Sequence, residues 1–208
     1  MTAPRAVVHL PEPPPADELR DAFPATVYPA GAPLFRSHGH RRGPWWFADS
    51  GQGRFDFTAP DGTCYVAEDE VITLLETYGG LSVVPAYETA KRDASELRLT
   101  EDVRVADLTS NLAAGFRVTS EIATTTDYPL TQRWAAALRA AGYEGVRYWA
   151  RHDLVHEHAC VALFDRSGDQ GAVGRARYDV TSTVHLPRRR DLLDRLTAET
   201  GIAVLGPP

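Results

Sequence analysis

The chain has 208 residues, 43% of them hydrophobic, which is enough for one ordinary core but short for two full domains. Its 28 acidic and 22 basic side chains give a formal net charge of -6, and the lack of an overall positive field argues against a nucleic-acid partner. No segment approaches the roughly 18 apolar residues of a membrane-spanning helix, so we expect a soluble, cytoplasmic protein without a membrane partner. Cys64 and Cys160 lie in apolar runs and are expected to be buried, reduced thiols.

Residues 1–32 hold seven of the chain's 15 prolines and are predicted to form an arm with one short helix. Short strands are predicted at residues 34–37, 53–57 and 63–67. The last two would form a hairpin around a Pro-Asp-Gly turn at residues 60–62.

Two amphipathic helices are predicted next. Val71, Leu74, Leu75 and Tyr78 recur at helical spacing and place Glu76 on the flank of the first helix, where it can face a cleft. The second helix is DYPLTQRWAAALRAAG, with a proline near its start and a glycine after its end.

Further strands complete the pattern. Residues 96–108 are predicted to form a pair of strands around Glu101 and Asp102, and GVRYWAR and ACVALF are two more. A strand, a helix and a strand would then form an extension over residues 166–208, packed on the central domain, 33–165. The fold class predicted from this order is a single α+β domain.

Arg54, Tyr65 and Glu76 come from three consecutive predicted elements and carry groups that suit cleavage of an N-glycosidic bond. A carboxylate can stabilise a positive charge developing on a sugar, an arginine can hold phosphate with two hydrogen bonds, and an aromatic ring can stack on a planar base. Their spacing alone favours the alternative, a surface ion pair and a core tyrosine.

Two groups of histidines were considered as metal sites. One is the pair His38 and His40, and the other is His152, His156 and His158. Both are predicted to lie in loops, without the helix or strand context of an established metal motif. We therefore predict solvated histidines and no metal.

The run GRFDF, then CYVAEDEVITLLE, WAAALRAAGYEGVRYWARHD and ACVALFD resembles the RES domain, over roughly residues 33–165. The resemblance implies an ADP-ribosyltransferase-like split β core with flanking helices and an enzyme that degrades NAD by phosphorolysis or hydrolysis. NAD would be the substrate and inorganic phosphate a co-substrate, with no bound cofactor. A helix-turn-helix antitoxin protein is the partner implied.

The resemblance also assigns residues. The family's signature arginine, tyrosine and glutamate fall on Arg54, Tyr65 and Glu76, which are the predicted catalytic residues. Arg36 matches an early arginine of the family and would be a second anion contact, while Phe55, Ala150 and Arg151 are further predicted substrate contacts.

One signature position differs. The family's serine is expected where this chain has Ala150, whose side chain cannot form a hydrogen bond. Two alternatives to NAD degradation stay open. One is transfer of ADP-ribose to a protein or small molecule, and the other, suggested by Ala150, is a catalytically degenerate module that binds a nucleotide or a protein partner. The terminal segments are expected to pack on the domain or to form a contact between copies of the chain.

Overall fold

A computed structural model describes residues 9–171 and 177–206, in which β-strands form a curled sheet with helices packed around it. The strands are β1 (Ala25–Tyr28), β2 (Pro33–Gly39), β3 (Trp46–Ser50), β4 (Thr58–Ala67), β5 (Val83–Val84), β6 (Arg92–Leu99), β7 (Val103–Asp107), β8 (Gly145–Trp149), β9 (Ala159–Arg166), β10 (Gly168–Asp169), β11 (Tyr178–His185) and β12 (Ala203–Val204). The α-helices are α1 (Ala16–Leu19), α2 (Glu70–Tyr78), α3 (Ala86–Thr89), α4 (Glu121–Thr124), α5 (Tyr128–Ala140) and α6 (Arg190–Thr200). Two 3-10 helices lie at Asn111–Phe116 and Leu186–Arg188.

The main sheet has the strand order β1, β7, β8, β9, β4, β2, β6, β11, and β3 lies beside β4 and pairs with β10. These neighbours are antiparallel, except for β7 and β8, which are parallel. A separate two-stranded sheet joins β5 and β12. The mixed order and the flanking helices confirm the predicted single α+β domain.

The connection from β6 to β7 explains the curl of the sheet. In a flat sheet these strands would be separated by five strand spacings, or about 24 Å. The chain passes directly from Leu99 to Val103, and so short a segment spans about 14 Å at most. The ends of the sheet therefore approach each other, and the N–H of Gly31, just after β1, donates to the carbonyl of Leu99 at 2.8 Å.

That connection also corrects the prediction of a strand pair around Glu101 and Asp102. Both strands form, but β6 pairs with β2 and β11, whereas β7 pairs with β1 and β8. Sequence proximity suggested a hairpin, but β6 and β7 lie near opposite ends of the strand order and each pairs with other strands.

The predicted hairpin of residues 53–57 and 63–67 is also wrong. β4 runs without a turn through residues 60–62, with Asp61 opposite Arg166 and Gly62 opposite Asp165 of β9. Gly62 is required by close packing and not by a turn, because a Cβ there would lie 2.9 Å from the carbonyl oxygen of Phe47. Residues 53–57 form part of the loop that joins β3 to β4.

Two apolar cores lie on the two faces of the sheet. The core inside the curl joins side chains from strands at both ends of the sheet order, including Tyr28, Leu34, Cys64, Leu97, Val105 and Leu163. The outer core packs helices against the sheet and includes Phe55, Leu74, Trp134, Leu138, Tyr148 and Leu196. Cys64 and Cys160 are buried free thiols, as predicted.

The two predicted amphipathic helices are confirmed as α2 and α5. The Asp69 side chain caps α2 by accepting from the Val71 N–H, and Asp127 caps α5 by accepting from the Leu130 N–H. Gly142 follows α5 with a φ of 97°, a conformation that glycine adopts without steric cost.

The terminal segments are integral to the sheet, which corrects the picture of an arm and a packed extension. β1 pairs with β7 and β11 pairs with β6, so each segment supplies an end strand of the sheet. The strand-helix-strand order predicted for the C-terminal segment is present as β11, α6 and β12. Residues 1–8, 172–176 and 207–208 of these segments lie outside the described part of the chain. Within the described part, no helix is both long and apolar enough to span a bilayer.

Candidate active site

Arg54, Tyr65 and Glu76 meet at one cavity on the helix-covered face of the sheet. Arg54 comes from the loop between β3 and β4, Tyr65 from β4 and Glu76 from α2. All three line a cavity of about 400 Å³. The structure therefore brings together the three residues that sequence reasoning selected.

Helix α5 holds the loop that carries Arg54. The Thr131 hydroxyl donates to the Arg54 carbonyl at 2.5 Å, and the Gln132 amide donates to the carbonyls of Gly51 and Gly53 at 2.9 and 2.8 Å. The Arg54 guanidinium lies 5.2 Å from the centre of the Tyr128 ring. These contacts fix both the backbone and the side chain of Arg54.

The Arg54 side chain is largely buried and is held by one further hydrogen bond, to the Thr125 carbonyl at 2.6 Å. Burial lowers the pKa of Arg54, and the nearby Tyr128, Tyr148 and Glu76 act in the opposite direction. A guanidinium remains charged in proteins, so Arg54 places a partly desolvated positive charge beside the cavity.

Tyr65 is fixed by its hydroxyl, which donates to Asp56 Oδ1 at 2.8 Å and accepts from the Phe55 N–H at 2.9 Å. Asp56 also accepts from the Gly53 N–H at 2.9 Å. Burial, followed by the charge of Asp56, raises the pKa of Tyr65 well above its ordinary value. The phenol stays neutral and serves as a fixed aromatic wall.

Glu76 extends from α2 into the cavity mouth, where solvent reaches its side chain although protein surrounds it on several sides. Its Oε1 accepts from the Arg151 N–H at 2.8 Å. Desolvation raises the pKa of Glu76, and the Arg151 hydrogen bond and the charges of Arg54 and His152 offset part of that effect. Glu76 is the only acidic residue among the described residues that line the cavity.

The cavity has a positive electrostatic character. Three arginines, Arg54, Arg92 and Arg151, line it together with His152 and the single carboxylate of Glu76. This balance favours an anionic ligand such as a phosphate ester. The net charge of the whole chain is negative, so the excess of arginines at this cavity is a local feature.

Several lining residues were missed by sequence reasoning: Ser37, Arg92, Tyr128, Tyr148 and His152. Ser37 and Arg92 come from neighbouring positions of β2 and β6, which only the strand register could reveal. The Ser37 hydroxyl is buried and has no hydrogen-bond partner within residues 9–171 and 177–206. His152 packs on Gly79, where a Cβ would lie 2.3 Å from the imidazole Cγ.

Of the four predicted substrate contacts, the structure places only Arg151 at this cavity. Arg36 lies on the other face of the sheet, where its Nη1 contacts the Pro44 carbonyl at 2.5 Å and Cys64 Sγ at 3.0 Å. Strand alternation is the reason, because Phe35 and not Arg36 lies opposite Ala67 on the cavity face.

Phe55 and Ala150 are buried instead of lining the cavity. The Phe55 ring is inaccessible to solvent and packs edge-to-face on Tyr148 at 5.0 Å. Ala150 faces a separate, mainly apolar cavity of about 370 Å³ between β8 and the segment at residues 108–124.

The histidines do not form the groups considered from the sequence. His38 is buried in β2, with Nε2 2.9 Å from the Ser95 hydroxyl, so the prediction of a solvated loop histidine is wrong for this residue. His156 stacks on Trp149 at 5.2 Å. Within the described part of the chain, neither His38 with His40 nor His152 with His156 and His158 forms a set of metal ligands by itself.

Comparisons with known proteins agree with the fold. No curated protein sequence matches the chain. A chain in a solved structure described as the M. tuberculosis MbcT-MbcA toxin-antitoxin complex is similar in fold to this protein, with a TM-score of 0.60 and 14% sequence identity. The match covers 82% of this chain and 91% of that chain. The model of the RES domain matches residues 33–187, most of the sequence, with Arg54, Tyr65 and Glu76 inside the match. The chain therefore belongs to the RES-domain family.

Proposed function

We propose that this protein is an enzyme that degrades NAD by cleaving the bond between nicotinamide and ribose. The observation that carries the proposal is the meeting of Glu76, Arg54 and Arg151 around the Tyr65 ring in one cavity. A carboxylate to stabilise a cationic sugar, guanidinium groups to bind phosphate and a fixed aromatic wall are the groups that this reaction requires.

In the proposed reaction, the bond from ribose C1'' to the nicotinamide nitrogen breaks and its electron pair moves to the pyridinium ring, which becomes neutral. Positive charge develops on the ribose, and the Glu76 carboxylate stabilises it. Phosphate then attacks C1'' to give ADP-ribose-1''-phosphate, or water attacks and loses a proton to give ADP-ribose.

The remaining groups bind and orient the substrate. Arg54 and Arg151 hold the pyrophosphate or the attacking phosphate, and Tyr65 stacks on the nicotinamide end. Arg92 takes the place proposed from the sequence for Arg36, because Arg92 lines the cavity whereas Arg36 lies on the other face of the sheet. This assignment requires no metal ion in the cavity.

We also propose that the protein is the toxin of a toxin-antitoxin pair, with a helix-turn-helix antitoxin protein as its partner. The likeness in fold to a chain from a toxin-antitoxin complex supports this role. Expression of the chain alone in bacteria should arrest growth and lower cellular NAD, and a Glu76→Gln variant should do neither.

A catalytically degenerate binding module is the second candidate, because Ala150 stands where the family's serine is expected. The two functions are separated by incubating the purified chain with NAD, with and without phosphate, and measuring products by mass. Cleavage that requires phosphate supports phosphorolysis, and cleavage without it supports hydrolysis. ADP-ribose on an added protein or small molecule would indicate transfer, and NAD binding without cleavage would indicate a degenerate module.

The key variant is Glu76→Gln, which keeps the shape of the side chain and removes its charge. It should abolish turnover and leave the unfolding temperature close to that of the wild type. The matched control is Glu18→Gln, at an exposed position of α1, which should retain full activity. An active Glu76→Gln protein would refute the role assigned to this carboxylate.

A further inference from the structure

Two histidines and a buried aspartate converge on the face of the sheet opposite the active-site cavity. In the strand register, Asp93 of β6 lies between His38 of β2 and His185 of β11. His40, just after β2, is held beside them because its N–H donates to the Lys91 carbonyl at 2.9 Å. The sheet thus brings His40, Asp93 and His185 together from distant parts of the sequence.

The three side chains have the spacing of metal ligands. One donor atom from each lies within 4.8 Å of the donor atoms of the other two. The imidazole rings of His40 and His185 are 5.0 Å apart between centroids, at an interplanar angle of 52°. Two imidazoles bound to one tetrahedral zinc ion at about 2.1 Å have centroids about 5.3 Å apart, so the observed rings need to move little.

The surroundings of His185 orient it as a ligand. Its Nε2 lies 3.0 Å from the Ala90 carbonyl, which can only accept, so this nitrogen carries the proton. The lone pair is then on Nδ1. A histidine that donates one ring N–H to a backbone carbonyl and presents the other nitrogen is the usual arrangement at protein metal sites.

Asp93 supplies a buried negative charge. Asp93 as a whole residue is 7% exposed, and its two carboxylate oxygens lie 2.9 and 3.0 Å from His40 Nδ1. A buried carboxylate requires hydrogen-bonding or cationic partners, and a metal ion shared with His40 would supply a positive charge beside Asp93.

We propose that His40, Asp93 and His185 bind one divalent transition-metal ion, with zinc as the best match and water as the fourth ligand. Two imidazole nitrogens and one carboxylate oxygen suit zinc, nickel or copper, whereas magnesium and calcium require more oxygen ligands. The ion would link the end of β2 to β6 and to β11, which is the last strand of the sheet.

Nearby cations limit the affinity but do not occupy the site. Lys91 forms an ion pair with Glu88 at 2.7 Å, and the Arg42 guanidinium lies over the Trp46 ring at 5.3 Å. Both charges are therefore directed to other partners. We expect weaker zinc binding than at a structural zinc site, because structural sites have four protein ligands and this site has three.

The test uses the untagged full-length chain, freed of metal with a chelator, and Zn²⁺ or Co²⁺ as the probe. Calorimetry should show one Zn²⁺ bound per chain, Zn²⁺ should raise the unfolding temperature, and Co²⁺ should give the visible absorption of a tetrahedral complex. His185→Gln and Asp93→Asn should each lose all three signals. The control His158→Gln, at an exposed loop position, should keep them.

His40→Gln provides a second variant if Asp93→Asn does not fold, because the His40 side chain is 61% exposed and its loss should leave the fold intact. It too should abolish the zinc-dependent rise in unfolding temperature. The proposal is overturned if the wild type binds no stoichiometric metal, or if His40→Gln and His185→Gln bind zinc as well as His158→Gln does. None of these measurements depends on NAD cleavage.

Discussion

Glu68 should be one of the most important single side chains for stability, because four elements meet at its carboxylate. Arg147 of β8 donates to it at 2.8 and 3.2 Å, the Tyr28 hydroxyl at 2.5 Å and the Ala159 N–H at 2.9 Å. Glu68 also directly precedes the cap of α2, the helix that carries Glu76. The cluster therefore ties β1, β8 and β9 to the base of that helix.

The cost of Glu68→Gln can be estimated from these contacts. Removing one member of a buried ion pair costs about 3–5 kcal/mol, and a hydrogen bond to a charged group contributes about 1.5–3 kcal/mol. The Arg147 and Glu68 side chains are 18% and 23% exposed, so water can replace part of the loss. Glutamine also keeps one acceptor oxygen. We expect about 2 kcal/mol, or a fall in unfolding temperature of about 4–8 °C for a chain of this size.

The assay is urea unfolding followed by fluorescence, with Glu96→Gln as the matched control. Glu96 pairs with Arg98 at 3.0 Å, but these side chains are 30% and 43% exposed. A surface pair of this kind contributes about 0–1 kcal/mol. If Glu68→Gln cost no more than Glu96→Gln, the inference that burial makes the Glu68 cluster important would be refuted.

The difference in free energy of unfolding between the wild type and Glu68→Gln should depend on pH. Burial would raise the pKa of Glu68, but the hydrogen bonds from Arg147, Tyr28 and the Ala159 N–H outweigh burial and lower the pKa below its ordinary value. The folded state thus prefers the ionised form, which stabilises it at pH values above the unfolded pKa of about 4.3. That stabilisation is lost as the pH falls through the folded pKa. The difference between wild type and Glu68→Gln should therefore shrink in acid.

Two predictions concern the active site. Gly53→Ala should lower NAD cleavage at least tenfold, because the added Cβ would lie 2.4 Å from Asp56 Oδ1 and 2.6 Å from the Tyr65 hydroxyl and would displace the tyrosine ring. Gly51→Ala is the control for steric crowding, because the nearest atom to its Cβ would be 3.7 Å away. The φ of 67° at Gly51 adds backbone strain to that control. Full activity in Gly53→Ala would show that the position of Tyr65 is not critical. Activity should fall in acid with a midpoint above the ordinary pKa of glutamate, since desolvation raises the pKa of Glu76. Glu76→Gln should remove activity at every pH. A midpoint below the ordinary glutamate pKa would contradict the desolvated environment assigned to Glu76.

The features that sequence predicted well are those encoded locally. The periodicity of α2 and α5, their aspartate caps and Gly142 lie within a few residues of one another, and these signals placed Glu76 correctly on a helix flank. Side-chain chemistry made Arg54 and Tyr65 candidates, and the family resemblance was needed to choose them over an ordinary ion pair and a core tyrosine. The loop that holds Arg54 depends on Gln132 and Thr131 of a distant helix, which no local pattern shows.

Predictions that required strand register failed for a physical reason. A shift of one residue moves a side chain to the other face of a sheet, so the face of Arg36 could not be known before its partner strand was known. The same uncertainty concealed Ser37, which lines the cavity, and Asp93, which joins His185 on the opposite face. Each of these positions is defined by pairing between strands that are distant in the sequence.

The direction of the side chain at position 150 indicates how much the absence of the family's serine matters for activity. Next to position 150, the Arg151 N–H donates to Glu76 Oε1 at 2.8 Å and Arg151 lines the candidate active-site cavity, while the Ala150 side chain faces the neighbouring cavity. A serine there would leave the hydrogen bond to Glu76 unchanged. Among the described residues that line this cavity, Ser37 has a buried hydroxyl for which the described part of the chain offers no hydrogen-bond partner. Ala150→Ser should therefore alter NAD cleavage by less than about threefold, a barrier change of about 0.7 kcal/mol, whereas Ser37→Ala should reduce it more. If cleavage appeared only in Ala150→Ser, the natural chain would be a degenerate binding module.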